Sequence, residues 1–205
     1  MLTLHRPAIT RLIAPVAARL ARAGIPPVAL TLAAPILTTG ACVWFLRARA
    51  AVPFCAAMLL VGLLDVLDGA VARAAGRVTK FGAYLDAICD RYVDALVALS
   101  AAAVTGYWAP CMIALVGALL VSYAKARAGM EVPVSNVEWP DLMERGERSA
   151  LFLAGLAAGS LAPWRPLGRD LFWWTAVVLA ALIHVTVVQR VLRARRLIRL
   201  RGGGG

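Results

Sequence analysis

Apolar residues run along the chain in stretches of about twenty, the length that crosses a bilayer as a helix, broken by prolines, glycines and positive charges. No charged residue falls between Ala23 and Leu46, which predicts a first span over 28–47. The same reading predicts spans over 51–73, 79–104, 109–128, 149–165 and 170–191, six in all. Ahead of them Ile9, Leu12, Ile13, Val16 and Leu20 share one helical face, with Arg11 and Arg22 opposite. Residues 6–24 are therefore expected as an amphipathic helix lying in the headgroup plane, ended by Pro26 and Pro27. After the last span, 192–205 reads as a basic tail closed by Gly202 to Gly205. The pattern predicts an all-α membrane protein with one domain over 1–205, six transmembrane helices preceded by an interfacial helix.

Composition agrees with the pattern. The chain has 205 residues, 61% of them hydrophobic and 16% charged, and its mean hydropathy is +0.77. Soluble domains carry about a quarter charged residues, so this chain lacks the polar surface to face water all round. Six spans leave no room for a soluble catalytic domain, so any chemistry sits on the helices and their loops.

The net charge of +11 suggests nucleic acid at first sight, but its distribution favours a membrane explanation. With six spans, 17 of the 22 Lys and Arg fall on the side of the two termini, and only Arg47, Arg49, Arg165 and Arg169 on the other. The excess of cytoplasmic Lys and Arg then puts both termini in the cytoplasm and makes nucleic acid unnecessary as a partner. Cys42, Cys55, Cys89 and Cys111 stand singly in apolar stretches, which supports neither a disulfide framework nor a zinc site.

Five of the eleven acidic residues, Asp65, Asp68, Asp86, Asp90 and Asp94, lie in or beside the second and third spans. Each charge placed in a membrane helix costs on the order of a few kcal/mol, so the cluster calls for a compensating partner. Spacings of three and four residues keep each set on one helix face. A turn centred near Gly76 brings the two sets of an antiparallel pair to similar depth. The donors are all carboxylate oxygens, which suit Mg²⁺ or Mn²⁺ and not zinc or copper. Gly69 and Gly82 offer helix surface without side chains where a phosphate or sugar can approach, and Arg73 is placed to reach a diphosphate.

In order, Asp65, Asp68, Gly69, Ala72, Arg73, Gly82, Asp86 and Asp90 form DxxDGxxARx₈GxxxDxxxD, eight fixed positions over 26 residues. This resembles the full signature of the CDP-alcohol phosphotransferases, and the six-span layout with an amphipathic first helix resembles the family too. The resemblance implies transfer of a substituted phosphate from a CDP-linked donor to an alcohol, with release of CMP. It implies two metal ions held mainly by Asp65, Asp68 and Asp86. Asp90 would be the base that takes the acceptor's proton and would also touch a metal, while Gly69, Arg73 and Gly82, with Asp65 and Asp68, would bind the CDP moiety. Two metals are suited to neutralising both sides of an in-line displacement at phosphorus.

The acceptor is to be read from the other cytoplasmic polar groups. Ser122-Tyr-Ala-Lys125-Ala-Arg127-Ala, Glu144-Arg145-Gly-Glu147-Arg148 and Gln189-Arg190 bring cations to three helix ends. Cations beside a metal site suit an acceptor that itself carries a phosphate. These stretches are similar to those of phosphatidylinositol phosphate synthases and their archaeal relatives, which implies myo-inositol phosphate as acceptor at Lys125, Arg127, Arg145, Arg148 and Arg190, and a homodimer in the cell membrane; the hairpin's place on the Arg-rich side makes its site face the cytoplasm. Glycerol 3-phosphate, the acceptor of phosphatidylglycerophosphate synthase, is the nearest rival. The lipid donor is CDP-diacylglycerol or CDP-archaeol. Outside the family the alternatives are a membrane prenyltransferase, whose acids fall in two distant motifs, and an ion-coupled transporter, which internal repeats would mark.

Overall fold

A computed structural model describes residues 13–133 and 143–201. Every regular element among them is helical: backbone over 13–22 (α1), then α2 (Pro27–Ala48), α3 (Ala51–Ala74), α4 (Lys80–Thr105), α5 (Trp108–Glu131), α6 (Arg145–Leu161), a 3₁₀ turn at Pro166–Gly168, and α7 (Leu171–Arg201). They form two compact units, Met1–Val104 and Thr105–Gly205, divided at the last turn of α4.

In the first unit local sequence sets the helix ends. Gly24, at φ +75°, follows α1, and Pro27 opens α2 where its missing N–H costs nothing. Arg49 closes α2 in the left-handed region and donates its N–H to the Phe45 carbonyl at 2.8 Å. Phe45 and Phe54 stack across that turn with ring centroids 4.3 Å apart, both fully buried, and fix α2 against α3. Gly76, at φ +63°, turns the chain from α3 towards α4, where the sequence predicts the turn.

In the described part of the first helix Ala17 is buried against Ala70 and Val71 of α3, with Ile13 and Leu20 of the expected apolar face, and Ala21, packed around them. Val16, expected on that face, is about half exposed. Small side chains at 17 and 21 let the helix approach α3 closely, so the packed stripe is centred on Ala17. Ile9, Arg11 and Leu12 lie outside the described residues.

In the second unit α7 packs along both α5 and α6. Glycines make the close approaches: a Cβ at Gly155 would come 2.5 Å from Thr175 Cγ2, one at Gly159 2.8 Å from the Phe172 backbone nitrogen, and one at Gly117 2.7 Å from Ile183 Cγ2. Small residues four apart on α6 thus admit α7 nearly to backbone contact, the usual way membrane helices gain dispersion energy without a hydrophobic drive. At one end Asp170 accepts from the Trp173 N–H and from the Tyr107 hydroxyl, at 2.9 and 3.1 Å. Burial and then this carboxylate push the Tyr107 phenol above its ordinary pKa.

Among the described residues, α2, α3, α5 and α7 are long and apolar enough to cross a membrane. Outward side chains such as Leu60 and Ile113 are more than half exposed, as lipid-facing residues would be. The other two expected spans are present as helices but differ from these four. In α4 the apolar run is interrupted by Asp86, Asp90, Arg91 and Asp94, and α6 has only 17 residues. The fifth span, expected over 149–165, is shifted to Arg145–Leu161, because Glu144 and Glu147 cap the helix earlier. The basic tail expected from 192 is helical as far as Arg201, since Arg and Leu both favour helix; Gly202 to Gly205 lie outside the described residues.

Candidate active site

The turn between α3 and α4 brings acidic residues of both helices together. Asp65, Asp86 and Asp90 each offer a carboxylate oxygen within 4.8 Å of the other two, and all three are partly buried. Like charges this close repel by roughly 3 kcal/mol per pair at an effective dielectric of 20, so the arrangement favours a cation between them. Oxygens about 2.1 Å from one Mg²⁺ lie at most ~4.2 Å apart. Closure by roughly half an ångström gives three ligands to one hard ion, and the donor set fits the metal that the spacing predicts.

Asp68, expected in the same set, is more deeply buried and has one oxygen engaged by another helix. It is 6% exposed, and its Oδ2 accepts a 2.6 Å hydrogen bond from the Thr31 hydroxyl of α2. A carboxylate has two oxygens, so this bond engages one and leaves the other for a cation. Asp94 is one turn beyond Asp90. Arg91 lies between them, with Nη2 3.5 Å from Asp90 and 3.6 Å from Asp94. It offsets one negative charge, whereas a dication offsets two.

The two glycines act through their missing side chains. A Cβ at Gly69 would lie 3.3 Å from Arg73 Nη1, so the bare turn lets the guanidinium fold back along α3 towards the acidic cluster. Gly82 donates its N–H to Thr79 Oγ1 at 2.9 Å, and a Cβ there would approach that oxygen to 3.1 Å. Thr79 thereby caps α4, and Gly82 leaves both its first turn and its surface open.

The cations proposed for an acceptor all belong to the second unit, in three different settings. Arg190 is 6% exposed and donates from Nη1 to the Val121 carbonyl of α5, one turn before Lys125. The contact ties the end of the apolar part of α7 to the segment carrying Lys125 and Arg127. Arg148 is equally buried on α6, and Arg145 is partly buried at its first position. The α6 N-terminus is less available to an anion than a bare helix end: the Glu144 side chain accepts from the third N–H, and Glu147 Oε2 accepts from the Glu144 N–H at 3.1 Å. Arg127 forms an ion pair with Glu131, one turn on, with both side chains about half exposed.

Sequence reasoning missed Thr31, the cap at Thr79, and the pairing of Arg91 with Asp90 and Asp94 rather than with Asp65 and Asp68. Thr79 carried a signal, a hydroxyl residue just before a long helix. Thr31 carried a fainter one: a hydroxyl in an uncharged apolar run, with Thr38 seven residues later on the same face.

Residues 25–188 match the family model described as CDP-alcohol phosphatidyltransferase. The chain is 36% identical over 199 residues to the archaetidylinositol phosphate synthase of Methanothermobacter thermautotrophicus, covering 94% of this chain and 93% of that one. It is 34% identical to the phosphatidylinositol phosphate synthase of Corynebacterium glutamicum, covering 95% and 89%. Among solved structures it is similar to the phosphatidylinositol phosphate synthase of Mycobacterium tuberculosis with CDP-DAG bound, at a TM-score of 0.78 and 27% identity, with 90% of this chain and 94% of that one covered. The same Mycobacterium tuberculosis protein in complex with manganese and citrate also gives a TM-score of 0.78 at 27% identity, covering 88% of each chain.

Proposed function

Because the chain belongs to the CDP-alcohol phosphatidyltransferase family and is therefore a phosphotransferase, we propose that it transfers a phosphatidyl-type phosphate from a CDP-linked lipid to myo-inositol phosphate, releasing CMP. The observation that carries this reading is the convergence of Asp65, Asp86 and Asp90 within 4.8 Å. The names of the relatives, archaetidylinositol and phosphatidylinositol phosphate synthases, support the acceptor.

In this reading Asp65, Asp68 and Asp86 would be the main holders of two divalent cations, Mg²⁺ or Mn²⁺, with Asp90 also touching a metal, and the ions' charge would screen the diphosphate and the departing CMP. Gly69 and Gly82 give the CDP moiety bare helix surface, and Arg73 supplies a cation to it. Asp90 accepts the proton of the acceptor hydroxyl as its oxygen attacks phosphorus, and the bond from phosphorus to the CMP oxygen breaks. Lys125, Arg145, Arg148 and Arg190 bind the acceptor phosphate, with Arg127 at the outer edge because Glu131 already holds it. Six spans, cytoplasmic termini and a cytoplasmic site complete the proposal, supported by the asymmetry of Lys and Arg along the chain, and the homodimer rests on the family resemblance alone.

The test is CMP release from CDP-diacylglycerol and CDP-archaeol, with Mg²⁺ or Mn²⁺, offered inositol phosphate, glycerol 3-phosphate, serine and free inositol in parallel. Release that needs the metal and is fastest with inositol phosphate is the expected result. Preference for glycerol 3-phosphate would make the chain a phosphatidylglycerophosphate synthase, and preference for an uncharged alcohol would remove the acceptor-phosphate role of the cations.

A further inference from the structure

We propose that Thr31 is a positioning residue for the metal centre: it holds one oxygen of Asp68 from a neighbouring helix and so fixes which oxygen is presented to the cation. The inference rests on the metal reading above and adds a residue that neither the aspartate motif nor its spacing contains.

The geometry is specific. Thr31 lies on α2 and Asp68 on α3; both are buried, at 7% and 6% exposure, and the hydroxyl is 2.6 Å from Oδ2. That distance is in the range of a hydroxyl bonded to a charged carboxylate. The hydroxyl oxygen is also 3.2 Å from the Pro27 carbonyl of its own helix, but a hydroxyl has one proton. The closer, charged acceptor takes it. Thr31 cannot turn away freely, since a β-branched side chain in a helix has few rotamers.

The α2–α3 packing makes this bond a fixed point. The stacked Phe45 and Phe54 lock the far end of the hairpin, while Ala70 and Val71 pack against α1 within one turn of Asp68. With both backbones held, the Thr31 hydroxyl restrains the rotation of the Asp68 carboxylate from a neighbouring helix, beside the Gly69 N–H of its own helix. Pairing of one carboxylate oxygen to a fixed donor makes the residue a one-oxygen ligand. Loss of such an outer partner typically lowers metal affinity by about 10- to 100-fold.

The experiment compares Thr31→Val, which removes the hydroxyl at nearly constant volume, with Thr31→Ser, which keeps it. Binding of Mn²⁺ to purified protein in detergent, with CDP present, is followed by loss of the free-ion electron paramagnetic resonance signal, and the Mn²⁺ requirement for CMP release is measured beside it. Thr31→Val should need about 10- to 100-fold more Mn²⁺ in both assays, and Thr31→Ser should stay within about threefold of the parent. The thermal midpoint without metal should be alike for Ser and parent. Unchanged Mn²⁺ affinity in Thr31→Val overturns the proposal, as does equal loss in Ser and Val, which would assign the effect to packing. If Thr31→Val does not fold, Thr31→Cys replaces it, and its weaker donor should give a loss larger than that of Ser; a loss no larger than that of Ser refutes the role. Mn²⁺ binding that survives Asp65→Asn and Asp86→Asn would instead refute the metal reading itself, which separates the two failures.

Discussion

The α3–α4 hairpin and the basic helix ends of α5, α6 and α7 both set like charges in apolar helices, but they treat them in opposite ways. In the hairpin the charges converge on one another, with Asp65, Asp86 and Asp90 inside 4.8 Å. In the second unit Arg127 meets Glu131, Arg190 meets the Val121 carbonyl, and Arg201 meets the Pro133 carbonyl. Burial alone therefore does not identify a reactive site, since Arg148 and Arg190 are as buried as Asp68. Convergence marks the metal site, because repulsion among three carboxylates exceeds what the single charge of Arg91 offsets and favours a bound cation.

The largest effect expected from breaking that difference is in the hairpin. Asp65→Asn, Asp68→Asn and Asp86→Asn should each abolish measurable turnover and weaken metal-dependent CDP binding, since each removes a charge from a hard-ion site at almost constant volume. The check is CMP release over a wide range of Mg²⁺, together with CDP binding with and without metal. Near-normal activity of any one at low Mg²⁺ removes that residue from the ligand set.

Asp90→Asn comes next and divides the hairpin internally. It should still bind CDP-lipid in the presence of Mg²⁺ while losing about 10²- to 10⁴-fold in turnover, the usual cost of a missing general base. Donor affinity and single-turnover rate, measured separately, check this. A variant with normal turnover and poor donor affinity would make Asp90 a metal ligand only. Arg91 sharpens the same point, because its contacts with Asp90 and Asp94 remain possible only in part when Asp90 is neutral.

The hairpin was the more legible region for a physical reason. Helical spacing of three and four residues is fixed by the backbone, so Asp65, Asp86 and Asp90 could be assigned to facing sides, and Gly76 marked the turn. Six helices were likewise legible from apolar run length, and the motif added the chemistry. What the spacing does not encode is rotamer and partner. Asp68 shares the face of Asp65 yet turns to Thr31, a contact set by packing between α2 and α3 across 37 residues of sequence. The centre of the packed stripe of α1 was less legible than its apolar members Ile13 and Leu20, because Ala17 and Ala21 carry little weight in an apolar pattern yet permit the closest approach. The α6 boundary moved for a similar reason, since Glu144 and Glu147 read as charges in the sequence and act as caps in the fold.

A smaller effect is expected among the arginines. Arg148→Gln and Arg190→Gln should raise the apparent KM for inositol phosphate and leave CDP-lipid affinity nearly unchanged. Each lost charge-assisted hydrogen bond is worth about 1.5 to 3 kcal/mol, or one to two decades in kcat/KM. Initial rates with each substrate varied against saturating partner separate the two constants. Arg190→Gln also loses the bond to Val121, so its thermal midpoint should fall below that of the parent. Equal losses for donor and acceptor in both variants would reduce these residues to anchors of the helix ends.

The smallest effect is expected at Arg127, and it is the one that tests whether prior pairing distinguishes the two regions. Its partner Glu131 is one turn away, and both side chains are about half exposed. An exposed pair of this kind contributes about 0.2 to 1 kcal/mol, so Arg127→Gln should change kcat/KM for inositol phosphate by less than about fivefold. Glu131→Gln gives the opposite arm. With its carboxylate gone, Arg127 gains freedom to turn towards an anionic acceptor, so the KM for inositol phosphate should stay level or fall slightly. Both responses should shrink as salt is raised, because exposed charges are screened within ~10 Å at 0.1 M. A loss at Arg127 as large as that at Arg148 would show that a surface ion pair opens to receive substrate. A prior ion pair would then no longer mark a charge of this protein as withdrawn from substrate.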